Sequence, residues 1–247
     1  MIAAEDTRNT LKLLNHLEIS KPLISYYKQN EKIKSSILIE KVLNGENIAI
    51  VSDAGTPGIS DPGEEIVKEA IKNNIEIIPI PGACAAINAL ITSGMDTSGF
   101  YFVGFLSVNK KEKLEKLEEI KKIKSTLIFY EAPHKLINTL ENIKEILGNR
   151  KIVLAKEITK IHEEFIRGNV SEILEKIENP KGEFVILVEG SKKNEEEEKK
   201  ENLNKLNLEE HFEYYKNKNF DKKEIIKKIA KDRNTNKNEI YQYFLNK

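Results

Sequence analysis

The 247-residue sequence contains a single cysteine, Cys84, and only four histidines. One thiol excludes a disulfide within the chain and a thiolate metal cluster, and the histidines are scattered without ligand spacing, so no metal is expected. An excess of charge of either sign is also lacking, because 40 Lys and Arg balance 40 Asp and Glu. A nucleic-acid partner must therefore be argued from local patches. No uncharged apolar run approaches the roughly 18 residues that a membrane-spanning helix requires. Met1-Ile2-Ala3-Ala4-Glu5-Asp6 has neither the basic start nor the apolar core of a secretory signal. A cytoplasmic protein without a membrane partner is expected.

What the sequence does contain is alternation. Ile48–Val51, Ile75–Ile78, Thr126–Tyr130, Ile152–Ala155 and Phe184–Val188 are short apolar, β-branched runs, and helical periodicity follows or separates them over residues 64–73, 83–92 and 133–147. Such a pattern predicts an α/β fold. Pro133 at the start and Gly148 beyond the end of the last segment match the preferences of helix termini. Small and turn-forming residues over 93–99, ahead of Phe100–Phe105, place a boundary between α/β domains at residues 1–97 and 98–190. The run from Ser191 to Asn202 has no apolar residue over 192–201 and predicts a solvated linker. Residues 203–247 return to helical spacing, with Ile225, Ile226, Ile229, Ala230, Ile240, Tyr241, Phe244 and Leu245 as the apolar set, and form a small helical module.

Five segments carry residues suited to chemistry. Ser52-Asp53-Ala54-Gly55-Thr56-Pro57-Gly58-Ile59-Ser60-Asp61-Pro62-Gly63 follows a strand and precedes a helix. Its glycines let the backbone approach a ligand at a strand's carboxyl end, where open α/β sheets bind ligands; an ordinary tight turn explains the same composition. It matches neither the dinucleotide fingerprint nor the phosphate-binding P-loop. Pro81-Gly82-Ala83-Cys84-Ala85 leads into a helix rich in small residues, which suits either a flat ligand or close helix-on-sheet packing. Cys84 reads as a small buried residue rather than a nucleophile, with no base near it in sequence. In Ala3-Ala4-Glu5-Asp6-Thr7-Arg8, Asp6 or Thr7 can cap the helix that carries Leu11, Leu13, Leu14 and Leu17, and capping is the favoured role. Tyr130-Glu131-Ala132-Pro133-His134-Lys135 and Lys156-Glu157-Ile158-Thr159-Lys160 each put ionisable groups at a strand's end, as catalysts or as surface punctuation.

The order of these five motifs resembles the small-subunit ribosomal RNA methyltransferase I family, and the likeness covers almost the whole chain. The Ser52–Gly63 stretch is particular to that family, whereas the Pro81-Gly82 loop is shared across enzymes of the tetrapyrrole-methylase fold. The resemblance implies a two-domain α/β tetrapyrrole-methylase fold, S-adenosyl-L-methionine as methyl donor, and 2′-O-methylation of a cytidine in the decoding region of 16S ribosomal RNA. A homodimer is implied as well. Family members carry a further strand and a Thr-Pro-Ile-Gly-Asn type loop ahead of the Ala-Glu-Asp-Thr-Arg motif, so this sequence is expected to lack that strand, with exposed sheet edges and an incomplete site.

Methyl transfer from a sulfonium needs in-line approach of the acceptor oxygen, and a ribose hydroxyl needs help in losing its proton. Glu5, Asp6, Glu131, His134, Lys156 and Glu157 are the candidate acid-base groups, with no choice among them. Asp53, Gly55, Thr56, Pro57, Gly82, Ala83, Cys84, Ala85 and Tyr130 are the candidate donor contacts. Arg8, Lys135, Lys156, Lys160, Lys222, Lys223, Lys227 and Lys228 are candidates for phosphate contact, and residues 220–247 hold eight Lys and Arg against four Asp and Glu. The alternatives are a small-molecule or tetrapyrrole methyltransferase of the same fold, for which the helical module would be superfluous, and a non-catalytic RNA- or ribosome-binding protein, which would not bind the donor.

Overall fold

The computed structural model describes residues 1–192 and 203–245. Most of the expected linker, residues 193–202, lies outside them. Met1–Gly190 and Ser191–Lys247 form two compact units.

The first unit contains two sheets. In the smaller, β1 (Ile2–Ala4) lies between β2 (Leu23–Ser25) and β3 (Ala49–Val51), all parallel. Ala4 is level with Ser25 and Val51, so Glu5, Tyr26 and Ser52 leave the sheet at the same end. That shared carboxyl end is where parallel sheets assemble ligand sites. Helices α1 (Thr7–His16), α2 (Glu31–Leu43) and α3 (Glu64–Lys72) complete this half. Its core is made by Ala3, Tyr26, Leu38, Ile39, Ile66 and Ala70. Of the four leucines on the expected amphipathic helix, only Leu14 is buried, beside Thr10 one turn earlier, while Leu11, Leu13 and Leu17 stay exposed.

One expected strand does not form. Residues 75–78 pair with no strand among the described residues, and Ile77 and Ile78 are exposed. A β-branched run becomes a strand only when a neighbouring backbone offers a ladder of hydrogen bonds. Conversely, β1 and β2 have three residues each and too little pattern to stand out in the sequence.

The larger sheet has the order β4-β5-β8-β6-β7, with β4 (Phe100–Phe105) parallel to β5 (Thr126–Glu131) and antiparallel pairing between β5 and β8 (Phe184–Val188), β8 and β6 (Lys151–Lys156), and β6 and β7 (Glu164–Asn169). Alternation along β8 explains its unbroken apolar run: Phe184, Ile186 and Val188 enter one core, and Val185 and Leu187 the other. The first core is closed by α5 (Lys110–Ile120), α6 (Pro133–Leu147) and α7 (Val170–Lys176). The second is closed by α4 (Ala85–Ser93) through Ala86, Ala89 and Leu90. Helix α4 precedes the boundary expected at residue 97 yet packs on the larger sheet, so the two sheets belong to one compact unit.

In the second unit, α8 (Leu208–Lys216), α9 (Lys222–Asp232) and α10 (Lys237–Leu245) enclose Leu203, Tyr215, Ile225, Ile226, Ile229, Ala230 and Ile240. Asn207 with Glu210 and Asp221 with Glu224 form reciprocal capping boxes that start α8 and α9. Tyr241 and Leu245, expected on the apolar face, are largely exposed.

Candidate functional site

Two loops meet at the carboxyl end of the smaller sheet. After β3 the chain runs through Ser52–Gly63, and Thr56 donates to the Ala83 carbonyl through both its backbone amide, at 3.0 Å, and its hydroxyl, at 3.1 Å. This joins the two glycine-bearing motifs 27 residues apart. Both contacts need glycine. A Cβ on Gly82 would lie 2.8 Å from the Thr56 Oγ1, and one on Gly55, whose φ is +78°, would lie 2.9 Å from the Ala83 carbonyl oxygen.

The motif after β1 approaches the same loop. Glu5 accepts a hydrogen bond from the Asp53 amide at 3.1 Å, and Asn9 donates its side-chain amide to the Asp53 carboxylate at 3.2 Å. Asp61 completes a group of three carboxylates: burial, then the charges of Glu5 and Asp53, push its carboxyl above the ordinary range, with a Ser52 hydrogen bond in opposition. Asp61 is not among the candidates that the sequence suggests, although the Ser-Asp-Pro-Gly element contains it; only its closeness to Glu5 and Asp53 marks it out.

Asp6 has a different role. It caps α1 by accepting from the Arg8 amide at 2.8 Å, and it pairs with the Arg8 guanidinium at 2.6 Å. That guanidinium, then the amide, pull its carboxyl down to about 2. A carboxylate this acidic is a poor proton acceptor at neutral pH, and Arg8 has a carboxylate partner as well as an exposed side chain.

From the larger sheet, Tyr130 reaches the start of α4, where its hydroxyl accepts from the Ala86 amide at 3.1 Å. Phe102 and Phe105 meet its ring edge-on at 5.1 and 5.5 Å. Burial, with a smaller contribution from the neighbouring Cys84, pushes the phenol up to about 12. Cys84 is the N-cap residue of α4 and is half-buried.

The remaining candidates form no hydrogen bond or ion pair with these two loops among the described residues. Glu131 is buried, with one oxygen accepting from the Ala132 amide at 2.9 Å and the other from the Thr139 hydroxyl at 2.6 Å. Those bonds commit it to the start of α6. Lys156 pairs with Glu164 at 3.2 Å. Glu157 accepts from the Glu183 amide at 2.8 Å and pairs with Lys160 at 3.1 Å, and Lys160 also pairs with Glu183 at 2.9 Å. The Glu183 amide, then Lys160, hold the Glu157 carboxyl below its ordinary value. His134 is exposed and Lys135 half-buried in the first turn of α6. Among the described residues no group of three His, Cys, Asp or Glu is arranged to hold a metal ion, and no helix is long and apolar enough to cross a membrane.

Comparison with known proteins sets the class. Residues 2–174 match the family of Tetrapyrrole (Corrin/Porphyrin) Methylases. The fold agrees with solved structures that are remote in sequence: diphthine synthase, with a TM-score of 0.55 at 14% identity over 73% of this chain and 73% of that one, and the methyltransferase CobJ, with 0.52 at 16% over 77% and 93%. Sequence narrows it further. The Ribosomal RNA small subunit methyltransferase I of Bacillus subtilis (strain 168) is 48% identical over 245 residues, 98% of this chain and 84% of that protein. Its namesake from Synechocystis sp. (strain ATCC 27184 / PCC 6803 / Kazusa) is 41% identical over 99% of this chain and 88% of its own length. The chain belongs to the ribosomal RNA small subunit methyltransferase I family of tetrapyrrole methylases.

Proposed function

We propose that the protein moves a methyl group from S-adenosyl-L-methionine to the ribose 2′-hydroxyl of a cytidine in the decoding region of 16S ribosomal RNA. The observation that carries this reading is the double hydrogen bond from Thr56 to Ala83. It holds the glycine-bearing loop after β3 edge to edge with the glycine-bearing loop that leads into α4, leaving a ledge of backbone and small side chains. Such a ledge suits a nucleoside and an amino-acid moiety, so the residues present fit the donor. Asp53, Gly55, Thr56 and Pro57 would hold one side of it, and Gly82, Ala83, Cys84 and Ala85 the other, with Tyr130 beneath the second loop. Bound there, the donor supplies an electrophilic methyl group on a sulfonium.

The chain's own work is then to orient the acceptor and take its proton. We assign the proton acceptor to the Glu5, Asp53 and Asp61 cluster, and within it to Asp61, whose carboxyl is raised by burial and by the two neighbouring charges. Asp6, Glu131 and Glu157 are committed to the hydrogen bonds described above.

The second unit supplies the contact with RNA. Lys222, Lys223 and Lys227 on α9 form no ion pair among the described residues, whereas Lys68 and Lys72 on α3 and Lys116 on α5 each pair with a glutamate. Lys228 lies over the Phe220 ring at 4.3 Å. Unpaired lysines on one short helix suit phosphate contacts that position RNA. A homodimer working in the cytoplasm on the small ribosomal subunit belongs to the same reading.

The test is to incubate the protein with small subunits and methyl-labelled S-adenosylmethionine, then map ribose methylation by primer extension at low nucleotide concentration. A single stop at a decoding-region cytidine is expected. Label on a base, or in no RNA at all, would overturn the assignment.

A further inference from the structure

Helix α4 carries the Pro81–Cys84 loop at its start, and side chains of the larger sheet hold it at both ends. At the N-terminal end Tyr130 of β5 accepts the Ala86 amide. At the C-terminal end Arg167 of β7 donates to the Thr92 carbonyl at 2.6 Å and to the Ser93 carbonyl at 3.4 Å, from 75 and 74 residues away. The last carbonyls of a helix lack partners within it and carry the negative end of the dipole, so a guanidinium there is favoured both as donor and as charge. The Arg167 guanidinium also lies over the Phe165 ring at 5.2 Å, which fixes its direction. Between its ends α4 touches the sheet mostly through the small residues Ala86 and Ala89 with Leu90. A smooth, small-residue face resists sliding along a sheet less than interlocking large side chains do.

We propose that Arg167 is a positioning residue for the methyl-donor site: by anchoring the far end of α4 it sets where Ala83 stands, and hence how the Gly82 loop meets Thr56. The path runs from β7 through Arg167 to Thr92 and Ser93, along the rigid helix to Cys84 and Ala83, and across to Thr56. The inference rests on the donor reading above, but one of its readouts does not. Cys84 is the only cysteine in the chain and the N-cap of α4, so its rate of alkylation reports the seating of that helix start whether or not a donor binds.

The experiment compares wild type with Arg167→Met and Arg167→Lys, and repeats Arg167→Met in a Thr56→Val background. Three quantities are read: affinity for S-adenosylhomocysteine by calorimetry, the division between donor KM and kcat, and the rate of Cys84 alkylation by iodoacetamide. Arg167→Met should weaken S-adenosylhomocysteine by about tenfold, the scale of removing one charge-assisted hydrogen bond. It should raise donor KM with kcat at saturating donor unchanged, and speed Cys84 alkylation. Arg167→Lys, which keeps the charge, should fall between. In the Thr56→Val background the loss of affinity should shrink, because both changes act on one junction. Unchanged affinity with unchanged Cys84 alkylation would overturn the proposal, as would a lowered melting temperature with both quantities intact, which is the signature of a purely structural arginine. If wild type fails to bind S-adenosylhomocysteine, the donor reading falls instead, and Cys84 alkylation still decides whether Arg167 seats the helix.

Discussion

The Thr56 hydroxyl and the Thr56 amide both donate to one acceptor, the carbonyl of Ala83. A carbonyl with two lone pairs can take both bonds, so removing one weakens the junction without abolishing it. Thr56→Val should therefore reduce donor affinity by up to about tenfold, in line with roughly 1 kcal/mol for a single hydrogen bond. Gly55→Ala should do more, since it combines a left-handed φ with a Cβ 2.9 Å from the same oxygen. Calorimetry with S-adenosylhomocysteine checks the order; equal affinities in both variants and wild type would remove these loops from the donor site.

Asp61 sets the expected pH profile. Its carboxyl is raised by burial and by the charges of Glu5 and Asp53, and a proton acceptor works only when ionised. The acid limb of kcat/KM should therefore lie above the ordinary carboxylate value of 3.8, with activity falling as pH drops through it. Asp61→Asn should cut kcat by about a hundredfold or more, the usual contribution of a positioned base, and abolish that limb. A retained limb in the asparagine variant would shift the role to Glu5 or Asp53.

The lysines of α9 make a salt-dependence prediction. Replacing Lys222, Lys223 and Lys227 together by alanine should weaken binding to small subunits and lower the slope of log affinity against log salt by roughly 0.7–0.9 for each phosphate no longer neutralised. Donor affinity should not change. Titrations at several salt concentrations measure both, and an unaltered slope would exclude α9 from the RNA surface.

His211 makes the second unit sensitive to acid. Its Nδ1 accepts from Arg233 at 3.2 Å, which places its proton on Nε2, facing the Asp232 carboxylate at 3.3 Å. Burial, reinforced by the Arg233 charge, lowers its pKa from 6.5 against the pull of Asp232. A histidine depressed on folding stabilises the fold fully above its unfolded pKa, and that contribution is lost as pH falls below about 6.5 through the folded value. Amides of α9 should exchange faster, after correction for intrinsic rates, at about pH 5.5 than at about pH 7.5. His211→Gln should remove most of the difference.

The sequence alone determined the elements whose signals are local. Alternating apolar runs marked β3, β5, β6 and β8, Pro133 and Gly148 marked α6, and the ordered motifs marked the family, because periodicity, turn chemistry and motif order are properties of neighbouring residues. Tertiary structure decided everything that depends on a partner distant in the chain. Residues 75–78 have a strand's pattern but no ladder to join, whereas Ile2–Ala4 becomes a central strand because Leu23–Ser25 and Ala49–Val51 flank it. The charged groups divide the same way. Asp6, Glu131 and Glu157 take partners two, eight and three residues along the chain, Arg8, Thr139 and Lys160, and the capping role of Asp6 is legible in the sequence, whereas only the fold places Glu5 beside Asp53 and Asp61. A side chain's type fixes which bonds it can make; which of them it does make depends on the chain brought next to it.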